Sequence, residues 1–168
     1  AAMGPAGFAR EFLNVWTRTA AGRVIPADDW RSVQHTTDMP AGRLCLAVDV
    51  AFDRSHAALA IAGPRRHVEI VDVLPIDAMI ARALAVQRST GAPIAIDNHG
   101  PSATVHDDLE RQRADLLTMT SYDVAVASAG FLDAVKDHTL SVWPHPQLDA
   151  AVDVAGTAPL GDGFRWSA

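Results

Sequence analysis

Asp49 stands in the middle of "LCLAVDVAFD" (residues 44–53), a stretch that is otherwise almost wholly apolar up to Phe52. A carboxylate in an apolar strand is costly to ionise unless something compensates its charge, so its presence points to a partner. Asp97 closes a second apolar run, "PIAID" (93–97), and is followed by Asn98, His99 and Gly100. Taken alone, Asp-Asn-Xaa-Gly is turn chemistry. If the two runs are neighbouring strands, however, the carboxylates come side by side. Two repelling acids persist by sharing a proton or by holding a cation, and a hard divalent ion with oxygen ligands is the simpler arrangement.

A third acid is available near the C-terminus. In "PQLDAAVDVAG" (146–156), Leu148, Ala151, Val152 and Ala155 form an apolar helical stripe, with Asp149 and Asp153 one turn apart on its flank. Either could border a cleft, although an acid in a first turn is also favourable through the helix dipole alone. The seven histidines form neither an HxxxH pair nor a ligand set with the one cysteine, Cys45, which reads as a small buried hydrophobe. His99 and His145 are the two placed near the cleft. No GxxxxGK[ST], GxGxxG or GxSxG occurs, which sets aside a Walker phosphate loop, a dinucleotide fingerprint and a nucleophile elbow.

The elements that must carry these residues follow from periodicity. Residues 44–51 read as a strand covered on both faces; "FDRSH" turns into a second strand at 57–62, and "GPRR" into a third at 67–74, giving an antiparallel unit. From 76, Ile76, Met79, Ile80, Ala83 and Leu84 adopt helical spacing up to a stop at Gly91. A strand at 93–97, a helix at about 102–112, a strand near 114–119 and a helix at about 121–137 follow. "LSVW" (140–143) reads as a short strand, a last helix opens at Pro146, and "GDGFRW" reads as an edge strand. The expected fold is α/β, with a mixed five-stranded sheet, three antiparallel strands then parallel ones, flanked by helices. Asp49 and Asp97 would then meet at the topological switch point. Residues 1–40, with Phe8, Phe12 and Trp16 on one helical face, read as an approach segment packing on a domain of residues 41–168.

At 168 residues, 49% hydrophobic and 20% charged, the chain suits one globular domain, with neither an 18-residue apolar run nor a signal-peptide pattern; it is expected to be soluble and intracellular. A net charge of −6 argues against a generally basic nucleic-acid coat while leaving room for a local basic face. Thirteen of the 14 basic residues are Arg, which suits planar phosphate recognition; Arg54, Arg65 and Arg66, in the two hairpin turns, are candidates for backbone phosphates or ordinary solvated turn residues.

"FAREFLNVW…VIPADDW", "LAVDVAFDRSHAALAIAG", "IAIDNHG", "AGFLDAVKDHTLSVWPHPQLDAAVDVAG" and "PLGDGFRW" together resemble the C-terminal nuclease domain of tailed-phage terminase large subunits, particularly those of actinobacterial phages and prophages. The resemblance implies a ribonuclease H-like fold and a metal-dependent endonuclease that cuts concatemeric double-stranded DNA during genome packaging in the host cytoplasm. It implies three acidic ligands, carried onto Asp49, Asp97 and Asp149, with Asp153 and Asp162 as alternative third ligands. Two Mg²⁺ or Mn²⁺ ions bridged by Asp49 are the expected cofactors. The implied partners are an ATPase domain, a small terminase subunit and the portal. A non-catalytic docking module of the same machinery, or a resolvase-type nuclease on the same fold, are the rival readings.

Overall fold

The computed structural model describes residues 23–167; Phe8, Phe12 and Trp16 lie outside them. The alternation of apolar side chains sets up the centre of the molecule. In β1 (Cys45–Val50), Leu46, Val48 and Val50 are buried while Ala47 and Asp49 are exposed, the period-two pattern of a strand covered on one face. β2 (Ala57–Gly63) and β3 (His67–Leu74) follow antiparallel, through a turn at 64–66 in which both Arg65 (φ 59°) and Arg66 (φ 55°) take left-handed backbone angles.

α2 (Ile76–Thr90) crosses back over the sheet, burying Met79, Ala83 and Val86. It ends where Gly91 adopts φ 66°, its N–H closing on the Gln87 carbonyl at 2.7 Å; glycine is the residue that enters that conformation without a Cβ penalty. β4 (Ile94–Asp97) then pairs parallel with β1 on the side away from β2, and β5 (Leu116–Met119) pairs parallel with β4 after α3 (Ala103–Arg111). α4 (Ser121–Lys136) starts at a capping box formed by Thr120 and Asp123. β6 (Ser141–Val142), α5 (Pro146–Val154), β7 (Gly156–Leu160) and β8 (Gly163–Ser167) complete the described chain.

The main sheet has the order β5-β4-β1-β2-β3-β6, with β2 alone antiparallel to its neighbours. It therefore has six strands where five are expected, the sixth being two residues of "LSVW" paired parallel with β3 at His67 and Val68. "GDGFRW" does not extend this sheet. It pairs antiparallel with β7 as a separate hairpin, placed against α4 by Trp166 and Phe131 at a 5.9 Å ring separation.

Two cores form on opposite faces. Leu46, Val48, Val50, Leu59, Ile94 and Ile96 meet α2 and α3 on one; on the other, Ala134, Val135, Leu140, Val142 and Val152 meet Ile25, Trp30 and Val33 near β6. The expectation that β1 is covered on both faces fails because the second core is gathered at the β3–β6 edge. Over β1 the second face is left with Ala47, and with Ala58 and Ala60 on β2 and Ala95 on β4.

Residues 25–34, expected to belong to an approach segment, supply a full side of the second core through α1 (Ala27–Ser32) and its flanks. Gln34 even makes a single parallel bridge to Val142. Trp30→Ala should therefore cost about 3–5 kcal/mol of unfolding free energy, as for a large aromatic removed from a packed core, read from urea denaturation.

Candidate metal centre

Val48 is registered opposite Ile96 across the parallel β1–β4 pair, so one step further along the strands Asp49 stands beside Asp97. Because Val48 and Ile96 point into the first core, both acids point to the other, open face. The acid that is anomalous in the sequence is thus a residue on the uncovered side of a half-buried strand.

Asp49 is reached by solvent, yet enough protein surrounds its carboxyl for desolvation to be the main cause of a pKa raised above the ordinary carboxylate value. A hydrogen bond from the Val50 backbone N–H works against this, and the negative charge of Asp97 adds to it. Asp97 is half-buried; its Oδ1 accepts the His99 backbone N–H at 2.9 Å, and the exposed His99 ring brings Nδ1 to 3.4 Å from the same oxygen. The result is a pair of carboxylates on adjacent strands, at the carboxyl ends of β1 and β4, where the chain direction of the sheet switches. Such a pair carries an electrostatic deficit that a bound cation would relieve, and carboxylate oxygens suit a hard divalent ion. The residues present fit the metal that the sequence implies.

Asp149 is not brought to this pair. Its Oδ1 accepts the Trp30 indole N–H at 2.9 Å and the Gln34 side-chain amide at 2.5 Å, on the β6 side of the molecule. β6 is three strand spacings from β1, roughly 14 Å at the usual 4.8 Å per strand. The reason is the packing of α5 onto α1 in the second core, which turns the acid toward two donors it can satisfy. Asp153 pairs with Arg23 on that same flank. Asp162 lies in the β7–β8 turn and lines, with Ser121 and Tyr122 at the start of α4, one open cleft. Since α4 follows directly from the carboxyl end of β5, Asp162 is on the same end of the sheet as Asp97. His145 caps the start of α5, its carbonyl accepting the Asp149 N–H, and is also away from the pair.

Of the three candidate arginines, only Arg54 is at the acidic end. Arg65 and Arg66 occupy the β2–β3 turn, which follows Gly63 at the level of Cys45, the opposite end of β1 from Asp49. Arg66 donates to the Thr139 hydroxyl at 2.8 Å.

Among the described residues, one group of three metal-capable side chains comes within mutual reach: His106, Asp107 and Glu110 on α3, within 4.8 Å of one another. Its signal in the sequence is the i, i+4 spacing of His106 and Glu110 on a helix. His106 is buried and shares a 3.0 Å hydrogen bond with Thr118 of β5, on the face opposite the Asp49–Asp97 pair, which accounts for the histidine as a tie between helix and sheet.

The mixed α/β sheet flanked by helices is the ribonuclease H-like fold expected from the sequence. Comparison with solved structures identifies the variant: the fold is that of the nuclease domain of phage large terminases. The large terminase nuclease from thermophilic phage G20c superposes with a TM-score of 0.65 at 9% identity, over 87% of this chain and 89% of that one. Its magnesium-bound crystal structure gives 0.65 at 10% identity, over 89% and 88%. The HK97 bacteriophage large terminase gives 0.63 at 10% identity, covering 87% of this chain and 39% of that longer one. No protein-family model and no curated protein matches the sequence.

Two tests follow from the geometry. Asp149→Ala strands the Trp30 and Gln34 donors, and should cost about 1–3 kcal/mol of stability while leaving Mn²⁺ binding in calorimetry intact. Asp49→Asn should act oppositely at neutral pH. Folded Asp49 holds its proton more tightly than the unfolded chain does, so its ionised form lowers stability above its folded pKa; the loss fades as pH falls and is gone below the unfolded value of about 3.9. The variant should melt higher than the wild type at pH 7 without metal, and the difference should close as the pH approaches 4.

Proposed function

We propose that this chain is a divalent-metal-dependent endodeoxyribonuclease domain of the large-terminase type, cutting concatemeric double-stranded phage DNA during packaging. The observation that carries the reading is the Asp49–Asp97 pair on an uncovered sheet face, at the switch point of a fold shared with terminase nuclease domains. One of those is a magnesium-bound structure.

Asp49 and Asp97 would hold Mg²⁺ or Mn²⁺; when bound, the ion supplies Lewis-acid stabilisation of the phosphate and activation of water. The chain's own contribution is positional. The two strands hold the carboxylates at one level, the His99 N–H fixes the orientation of the Asp97 carboxylate, and the low alanine surface beside them admits a bulky substrate. A two-ion version needs a further acid; Asp162, in the β7–β8 turn, is the candidate favoured here, since Asp149 accepts from Trp30 and Gln34 and Asp153 pairs with Arg23. Duplex DNA would be met through its backbone, giving little sequence preference and a strong salt dependence. By the same analogy the domain works with a packaging ATPase, a small terminase subunit and the portal in the host cytoplasm. No helix among the described residues is long and apolar enough to cross a membrane.

The deciding experiment incubates the protein with supercoiled plasmid and Mn²⁺ or Mg²⁺, following nicked and linear products on a gel, with EDTA, Asp49→Ala and Asp97→Ala as controls. Cleavage lost in all three controls is the expected result. Absence of cleavage, together with no Mn²⁺-induced rise in melting temperature, would favour a non-catalytic docking module; a ligand at 100 times its Kd should otherwise add about 2.7 kcal/mol. Preference for branched over linear duplex would favour a resolvase.

A further inference from the structure

The turn after Asp49 and the turn after Asp97 are joined by one side chain. Arg54 sits in the β1–β2 turn with φ 59°, a left-handed conformation that costs a non-glycine residue on the order of 1 kcal/mol or more and persists where surrounding contacts impose it. Its backbone N–H closes the turn on Ala51 O at 2.8 Å. That conformation sends the guanidinium across to the other loop, where Nη1 donates to Pro101 O at 2.9 Å and Nη2 to the Thr104 hydroxyl at 2.7 Å. Pro101 and Thr104 lie four and seven positions after Asp97, in the short 3₁₀ turn and the first turn of α3. Both acceptors are uncharged, so the arginine takes no carboxylate from the metal pair.

From this geometry we infer that Arg54 is the positioning residue of the Asp49–Asp97 pair: it clamps the loop behind one carboxylate to the loop behind the other and opposes their mutual repulsion. The inference rests on the reading of that pair as a cation site. The planar fork matters as well as the charge, because it spans two acceptors at fixed separation, which an ammonium does not reproduce. Asp97 is the more sensitive partner, since its carboxylate is oriented by His99, two residues before the clamped Pro101.

The sign of the effect separates this role from a simple charge effect. Removing a cation near two acids raises their affinity for Mn²⁺ if only Coulomb forces act. Loosening a clamp lowers it, on the order of tenfold for a group that orients metal ligands from behind. Calorimetric Mn²⁺ titration of the full chain should therefore show weaker binding for Arg54→Ala and Arg54→Lys, with Thr104→Val weakened too although no charge has changed. The Arg54→Ala/Thr104→Val double variant should be no weaker than Arg54→Ala alone. Thr104→Val, near-isosteric on an exposed residue of α3, carries the test if Arg54→Ala does not fold. Tighter or unchanged Mn²⁺ binding in the folded variants overturns the clamp. Absence of Mn²⁺ binding in the wild-type protein overturns the metal site on which it rests.

Discussion

Two carboxylates on neighbouring parallel strands repel each other, and much of the surrounding architecture serves to keep them together. The β1–β4 register brings Asp49 level with Asp97, and that register is secured by Leu46, Val48, Ile94 and Ile96 packed on the opposite face. Shifting either strand by one residue would exchange its acid with a core residue, burying a charge and exposing an isoleucine or valine. The hydrophobic core and the acidic pair are thus two sides of one register, and the repulsion is carried by the free energy of burying the apolar side.

The second face has a different organisation. Its core is displaced to the β3–β6 edge, where α1, α4 and α5 meet, and Asp149 is used there as an acceptor for Trp30 and Gln34. An acidic residue on a terminal helix can serve a site or tie a helix to its neighbour. Here the helix–helix contact has drawn it to the second use, and Ile25, Trp30 and Val33, from the segment expected to pack on the domain, supply one side of that core.

How far this was legible in the sequence depends on the range of the interactions. Helix α2 and its glycine stop, and the antiparallel unit β1–β3, are local periodicity, and they stand close to their expected bounds. The pairing of Asp49 with Asp97 was legible because chain reversal after three antiparallel strands leaves few topologies. The partners of Asp149 were not legible, since they lie 119 and 115 residues away and are chosen by packing. The same holds for Arg54, whose acceptors are 47 and 50 residues distant, and for the place of β6, which reads as a short strand in the sequence but whose pairing with His67 and Val68 of β3 does not. One-sided coverage of β1 escaped because alanine is as compatible with a buried position as with an open one.

Those alanines set the relief of the surface. Aspartate is among the shortest side chains able to ligate a metal, and beside leucines or phenylalanines it would sit in a well. Against the methyl groups of Ala47, Ala58, Ala60 and Ala95, Asp49 and Asp97 instead stand above the alanine part of the sheet, while Met119 of β5 flanks Asp97 on the same face. A rigid, convex object can then come in over the alanines of β1 and β2 and reach the acids without the protein opening to receive it.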